Sequence, residues 1–116
     1  MAIERLRQVF IVTTDMDVQV DFLVQTLGLE LQFRDGNEWV QFQAGEVSVA
    51  LAGPSESMGA PSGACVPVFQ TDDLNGLCDS VRQAGGDCGT VRDMGDHGRT
   101  VVFRDPQGTV MAALEK

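Results

Sequence analysis

The stretch "TTDMDVQVDFLVQTLGLEL", Thr13 to Leu31, decides how the whole chain is read, because a version of it occurs twice. At an offset of 58 residues Thr13 meets Thr71, Asp15 meets Asp73 and Met16 meets Leu74. The same offset pairs Asp21 with Asp79, Gln25 with Gln83, Gly28 with Gly86, and Arg34-Asp35 with Arg92-Asp93. Further along, Val40 and Phe42 meet Val101 and Phe103 at offset 61. Gly45, Val47 and Leu51 meet Gly108, Val110 and Leu114 at offset 63. Two copies of about fifty residues are too few for a solenoid, so the chain reads as a fused pair of modules.

Each copy carries the same local signals. "QVFIVTT" is β-branched and aromatic, which favours a strand. Asp15 and Asp73 stand where an acidic N-cap opens a helix. Met16, Val20, Leu23 and Leu27 then recur at helical spacing, as Leu74, Cys78 and Val81 do in the second copy. Gly28 and Gly86 are placed to end those helices in the left-handed conformation. Three strands come next in each copy: about 30–34, 38–43 and 46–52, then about 87–92, 99–104 and 109–115. Asp105-Pro106-Gln107-Gly108 supplies a tight turn before the last of them. The order is therefore βαβββ twice: an α+β chain with one module over about 5–52 and another over about 65–115. Between them "GPSESMGAPSGA", residues 53–64, reads as a flexible connector.

Composition narrows the function. A length of 116 residues suits a single domain. With 8 Lys+Arg against 17 Asp+Glu the formal charge is −9, which repels nucleic-acid backbones and anionic lipid and favours a ligand with cationic character. No apolar run reaches the ~20 residues of a membrane span, and no signal peptide opens the chain. Cys65, Cys78 and Cys88 are odd in number and lack CxxC spacing, so neither a disulfide framework nor a zinc site is suggested. A reducing cytoplasm fits.

The paired βαβββ order, the Thr13–Leu31 segment and the turn "FRDPQGTV" together resemble the vicinal oxygen chelate superfamily, which groups glyoxalases, bleomycin-resistance proteins and extradiol dioxygenases. The resemblance covers essentially the whole chain. It implies one domain in which two modules form a U-shaped mixed sheet around a cleft. The family's enzymes hold a divalent metal through a His on the first strand of each module and a Glu or another donor on the last. Carried onto this sequence, those positions are Gln8, Val66, Ala112 and Val49. Three have no donor atom, and an amide oxygen is a poor ligand for a transition metal. What the resemblance then implies is a metal-free member without a cofactor, of the bleomycin-resistance kind: a cytoplasmic homodimer that sequesters an aromatic antibiotic or natural product. A metal-dependent glyoxalase or dioxygenase, and a non-catalytic partner module, stay open as alternatives.

Strand alternation says which residues would line that cleft. Phe10 follows Gln8 on the inward side, Val68 follows Val66, and Gln41 and Val102 accompany Trp39 and Ala112. The expected surface is apolar, with Trp39 as the main stacking ring, Phe10 opposite or adjacent, and space left beside Ala112. A role in the core or at a dimer interface is the competing reading for Trp39, and a core role for Phe10. His97, in "DMGDHGRT", is placed by the resemblance at the cleft rim as a candidate ligand contact, against the plainer reading of a solvated loop. No cysteine has a basic partner, so nucleophilic catalysis is unsupported.

Overall fold

Both modules open their helix with the same three-residue device. Thr13 Oγ1 accepts from the Asp15 N–H at 3.0 Å, and Thr71 Oγ1 from the Asp73 N–H at 3.1 Å. Asp15 then accepts from the Val18 N–H at 3.3 Å, and Asp73 from the Gly76 N–H at 3.0 Å. Each carboxylate satisfies a donor that the first helical turn leaves without an internal partner. The acidic N-caps expected from sequence are in place.

The computed structural model describes residues 3–116 and is of the α+β class. Its elements are β1 (Ile3–Val12), α1 (Met16–Asp21), β2 (Glu30–Asp35), β3 (Trp39–Ala44), β4 (Val47–Ala52), β5 (Cys65–Thr71), α2 (Leu74–Gln83), β6 (Asp87–Cys88), β7 (Arg92–Asp93), β8 (Arg99–Arg104) and β9 (Val110–Glu115). No helix among the described residues is long and apolar enough to cross a membrane.

The chain forms two compact units. One is Gln8–Val66; the other joins the residues up to Arg7 with Pro67–Lys116. In the first, the strand order is β2-β3-β4-β1, with β1 and β4 parallel and the other pairs antiparallel. In the second, the order is β5-β9-β8-β6 with β7 also on β8, and β5 and β9 are the parallel pair. The βαβββ order thus occurs in both. The strand expected over 87–92 is broken into β6 and β7.

The two helices end differently, for a physical reason. α2 closes with the Gly86 N–H bonded to Val81 C=O at 2.9 Å and the Gly85 N–H to Arg82 C=O at 3.1 Å. That is the Schellman pattern, and the left-handed residue is Gly85, φ +91°, rather than Gly86 as expected. Gly86 is needed for another reason: a Cβ there would stand 2.5 Å from the Arg104 carbonyl oxygen. In the first unit Gly28 does take the left-handed conformation, φ +71°. Gly28 therefore corresponds to Gly85, and the first helix is one residue longer. A π-helical turn over Phe22–Thr26 absorbs the extra residue, with the Leu27 N–H reaching Phe22 C=O at 3.2 Å. The side chains beyond this turn are rotated by it. Leu27, expected in the buried stripe, is 55% exposed, while Val24 and Leu29 pack partly against the core.

Register brings a second correction. Phe42 faces α1 in a cluster with Met16, Val20, Leu23, Val40 and Leu51. Val49 lies directly opposite Phe42, so it shares that face, and Ala50, opposite Gln41, takes the position assigned to Val49. The turn glycines mislead here. Ala44 and Val47 are joined by a two-residue turn, whereas Arg104 and Val110 are joined by five residues. In that longer loop Asp105 accepts from the N–H groups of Gln107 and Thr109, both at 2.9 Å. Matching Gly45 to Gly108 slips the strands by one residue, and a slip of one turns every side chain to the other face.

The connector over 53–64 is also better fastened than expected. The Val12 N–H donates to Ala64 C=O at 3.0 Å, the Gly63 N–H donates to Val12 C=O at 2.8 Å, and Ala60 is buried.

In the second unit the core holds Leu74, Leu77, Cys78, Cys88, Val101, Phe103 and Ala113. Glu115, at the end of β9, ties this sheet to α2. Its carboxylate accepts from the Leu74 N–H at 2.8 Å and from the Arg99 guanidinium at 2.7 Å. The Leu74 bond first, and Arg99 second, hold the carboxyl below its ordinary value of 4.5. A carboxyl lowered on folding adds stability that is complete above its unfolded value and drains away as pH falls towards the folded one. Glu115→Gln should therefore lower the melting temperature by a few degrees at pH 7. The gap to wild type should close as pH drops below 4.5, as read by circular dichroism melts across that range.

Candidate ligand-binding face

In Gln8–Val66, the face of the sheet opposite α1 gathers the side chains that can meet a ligand. β1 contributes Gln8 and Phe10, β3 contributes Trp39, Gln41 and Gln43, and β4 contributes Ser48 and Ala50 by direct register with them. The rings of Phe10 and Trp39 pack at 5.5 Å between centroids with their planes tilted by 55°, a favourable aromatic arrangement. Phe10 is fully buried and Trp39 half-buried, so the pair is a supported indole with part of its surface open. Of the two arrangements expected, opposite or adjacent, the rings are adjacent.

The surroundings of that indole are not the apolar surface expected. The Trp39 Nε1–H donates to Gln41 Oε1 at 3.3 Å, and Gln8 Nε2 donates to the same oxygen at 3.1 Å. Gln41 Nε2 donates to Gln32 Oε1 at 3.1 Å, and Gln32 Nε2 donates in turn to Gln43 Oε1. Gln43 Nε2 ends the chain on Gly45 C=O at 2.7 Å. Four glutamines are thus linked head to tail. A register irregularity between Leu31 and Phe33 lets Gln32 join them and leaves Phe33 opposite Gln41, 49% exposed. The signal for Gln41 and Gln43 was present in sequence, since "WVQFQ" alternates glutamine with core residues. The β2 irregularity that recruits Gln32 has no such signature.

Several residues expected to line a surface are closed off. Phe10, Val66, Val68 and Ala112 are 0%, 1%, 7% and 0% exposed, so they pack rather than present open area, and Ala112 leaves no accessible space. Val68 and Val102 both lie opposite Ala112 in the second unit, on the side away from α2, and Val102 is half-buried. His97 sits exposed in a short 3-10 turn, Gly95–His97, whose shape is set by the Gly95 N–H bonded to Asp93.

The four positions at which the resemblance implies metal ligands fall on Gln8, Ala50 in place of Val49, Val66 and Ala112. One amide and three aliphatic side chains do not fit a divalent metal, since an amide oxygen is a poor ligand for a transition metal and the other three have no donor atom. Among the described residues no group of three or more His, Cys, Asp or Glu is close enough to share an ion. Nor does Cys88 offer an alternative chemistry. Burial first, and then a hydrogen bond with Cys78, push the Cys88 thiol up to about 12, where it is a poor nucleophile.

Elsewhere in the first unit an open groove of 460 Å³ runs past the start of α1, between Asp15, Val18 and Phe22 on one side and Ser62-Gly63 on the other. Val18 and Phe22 are 62% and 48% exposed. Sequence reasoning passed over them because they fall outside the apolar stripe of α1.

Residues 5–112 match the model of the Glyoxalase/Bleomycin resistance protein/Dioxygenase superfamily. No curated protein matches the chain significantly. Among solved structures, similarity extends to a hypothetical protein from Bacillus halodurans C-125 at 13% identity and TM-score 0.77, covering 97% of this chain and 94% of that one. It extends also to a variant of Streptomyces coelicolor methylmalonyl-CoA epimerase, in complex with 2-nitronate-propionyl-CoA, at 19% identity and TM-score 0.76, with coverage of 99% and 96%. A variant of homoprotocatechuate 2,3-dioxygenase from B. fuscum matches at 19% identity and TM-score 0.73 over 99% of this chain but 33% of its own. At these identities the likeness concerns the fold.

Proposed function

Because the chain belongs to the Glyoxalase/Bleomycin resistance protein/Dioxygenase superfamily, we propose that it is a small-molecule capture protein of that group, holding a flat aromatic compound on the Trp39 face without a metal. The observation that carries this reading is the half-open indole braced on Phe10, on the same sheet face as a would-be metal position occupied by Gln8. Ring faces gain contact area and about 0.5–1.5 kcal/mol beyond simple burial when they stack. The setting that fits is sequestration of an aromatic antibiotic or natural product by a homodimer, as in the drug-binding members the sequence resembles. The net charge of −9 is compatible with a ligand bearing a cationic substituent.

The epimerase and the dioxygenase are similar to this chain in fold, and the proposal borrows neither activity. A thermal-shift screen against flat aromatic antibiotics, run with and without EDTA, tests the proposal. A ligand at 100 times its dissociation constant should add roughly 2.7 kcal/mol of stability, equally in both conditions. Stabilisation that disappears with EDTA would count against capture without a metal, and so would the absence of any shift across the panel.

A further inference from the structure

The glutamine chain calls for its own explanation. Ordering a long amide side chain costs up to about 2 kcal/mol of rotamer freedom, and solubility is supplied more simply by charge. Here Gln8, Gln41, Gln32 and Gln43 are held in one continuous, directional series. A carboxamide has two N–H donors and two acceptor lone pairs. Gln41 Oε1 already accepts two bonds, from Gln8 and from Trp39, so its acceptor capacity is filled. Gln41, Gln32 and Gln43 each donate one N–H within the series, which leaves each a second. The Gln32 and Gln43 oxygens each accept one bond within it, which leaves each a second lone pair. The edge beside the indole is therefore a fixed array of neutral donors and acceptors.

We infer that this array reads a lactam-type edge, a ring N–H beside a ring C=O, on the ligand that stacks on Trp39. A lactam offers one donor and one acceptor side by side, the complement of neighbouring amide N–H and C=O groups. An apolar ring edge in the same place would leave those groups without partners, and sites built for hydrogen bonding discriminate against analogues that lack the matching group. The inference rests on the capture reading above and narrows its ligand class from flat aromatics to flat lactams.

The test uses the native protein and its single tryptophan. Matched heteroaromatic pairs with and without a ring N–H–C=O, lumichrome against phenazine and 2-quinolone against quinoline, are titrated while Trp39 fluorescence is followed. The lactam member of each pair should bind at least tenfold more tightly. In Gln32→Leu, which breaks the amide series between Gln41 and Gln43, that preference should fall to within about twofold. Equal binding within both pairs, or a preference unchanged in Gln32→Leu, overturns the lactam assignment and leaves capture on Trp39 standing. Failure of all four compounds to perturb Trp39 overturns both.

Discussion

Trp39→Ala should weaken binding of a flat aromatic ligand at least tenfold while the fold survives. The substitution removes the stacking surface and the Nε1–H that fixes Gln41 Oε1, so it loosens the amide array together with the ring. A tenfold loss corresponds to about 1.4 kcal/mol, at the upper end of what aromatic stacking alone contributes, with lost contact area added. Trp39 is half-buried, and Phe10 beneath it keeps its other neighbours, so a folded product is expected. Because the variant has no tryptophan, the measurement is calorimetric titration or ligand-induced thermal shift. Trp39→Phe should recover part of the affinity, since it keeps a ring but not the indole donor. Normal binding by Trp39→Ala would reduce Trp39 to a cover for Phe10.

The second large effect lies in the core. Phe42 is 0% exposed within the α1 cluster, and truncation of a buried phenylalanine costs about 3–5 kcal/mol through lost transfer energy and the cavity left behind. For a domain whose total stability is of order 5–15 kcal/mol, Phe42→Ala should bring the urea midpoint down by a large fraction. Phe33→Ala is the control. Phe33 is 49% exposed on β2, and its loss should change stability by no more than about 0.5 kcal/mol. Similar costs for the two would mean that the faces of the first sheet have been assigned the wrong way round.

These two phenylalanines also show what could be read from the chain and what could not. The repeated Thr-x-Asp opening, the apolar stripe of each helix and the alternation of Val40 and Phe42 with Trp39 and Gln41 are local patterns, and local patterns survive translation into structure. The helix N-caps and much of the helix-facing core followed from them. Errors arose where one residue was gained or lost between the copies. The π turn at Phe22–Thr26 shifted the equivalence of Gly28 from Gly86 to Gly85 and turned Leu27 outward. The short turn at Gly45 moved the inward position from Val49 to Ala50. Both are register effects, to which a periodicity of two is unforgiving.

The candidate face was half legible. Strand parity placed Phe10 and Trp39 on one side of the sheet, and the structure shows them adjacent rather than opposite. The amide chain did not, because glutamines spread over β1, β2 and β3 become a series only once the strands are paired and β2 carries its irregularity. Residues placed on an open surface by parity alone, such as Ala112 and Val66, proved to be packed, since parity gives direction and not accessibility.

The most direct test of capture without a metal is the metal stoichiometry of the purified protein, by plasma mass spectrometry, followed by calorimetric titration of the EDTA-treated protein with Ni²⁺, Zn²⁺, Mn²⁺ and Fe²⁺. With an amide and aliphatic side chains at the family's ligand positions, the expected outcome is substoichiometric metal and no saturable one-to-one site. Aromatic-ligand binding should be unchanged by any of the four ions. One tightly held ion per chain, needed before the ligand binds, would contradict it.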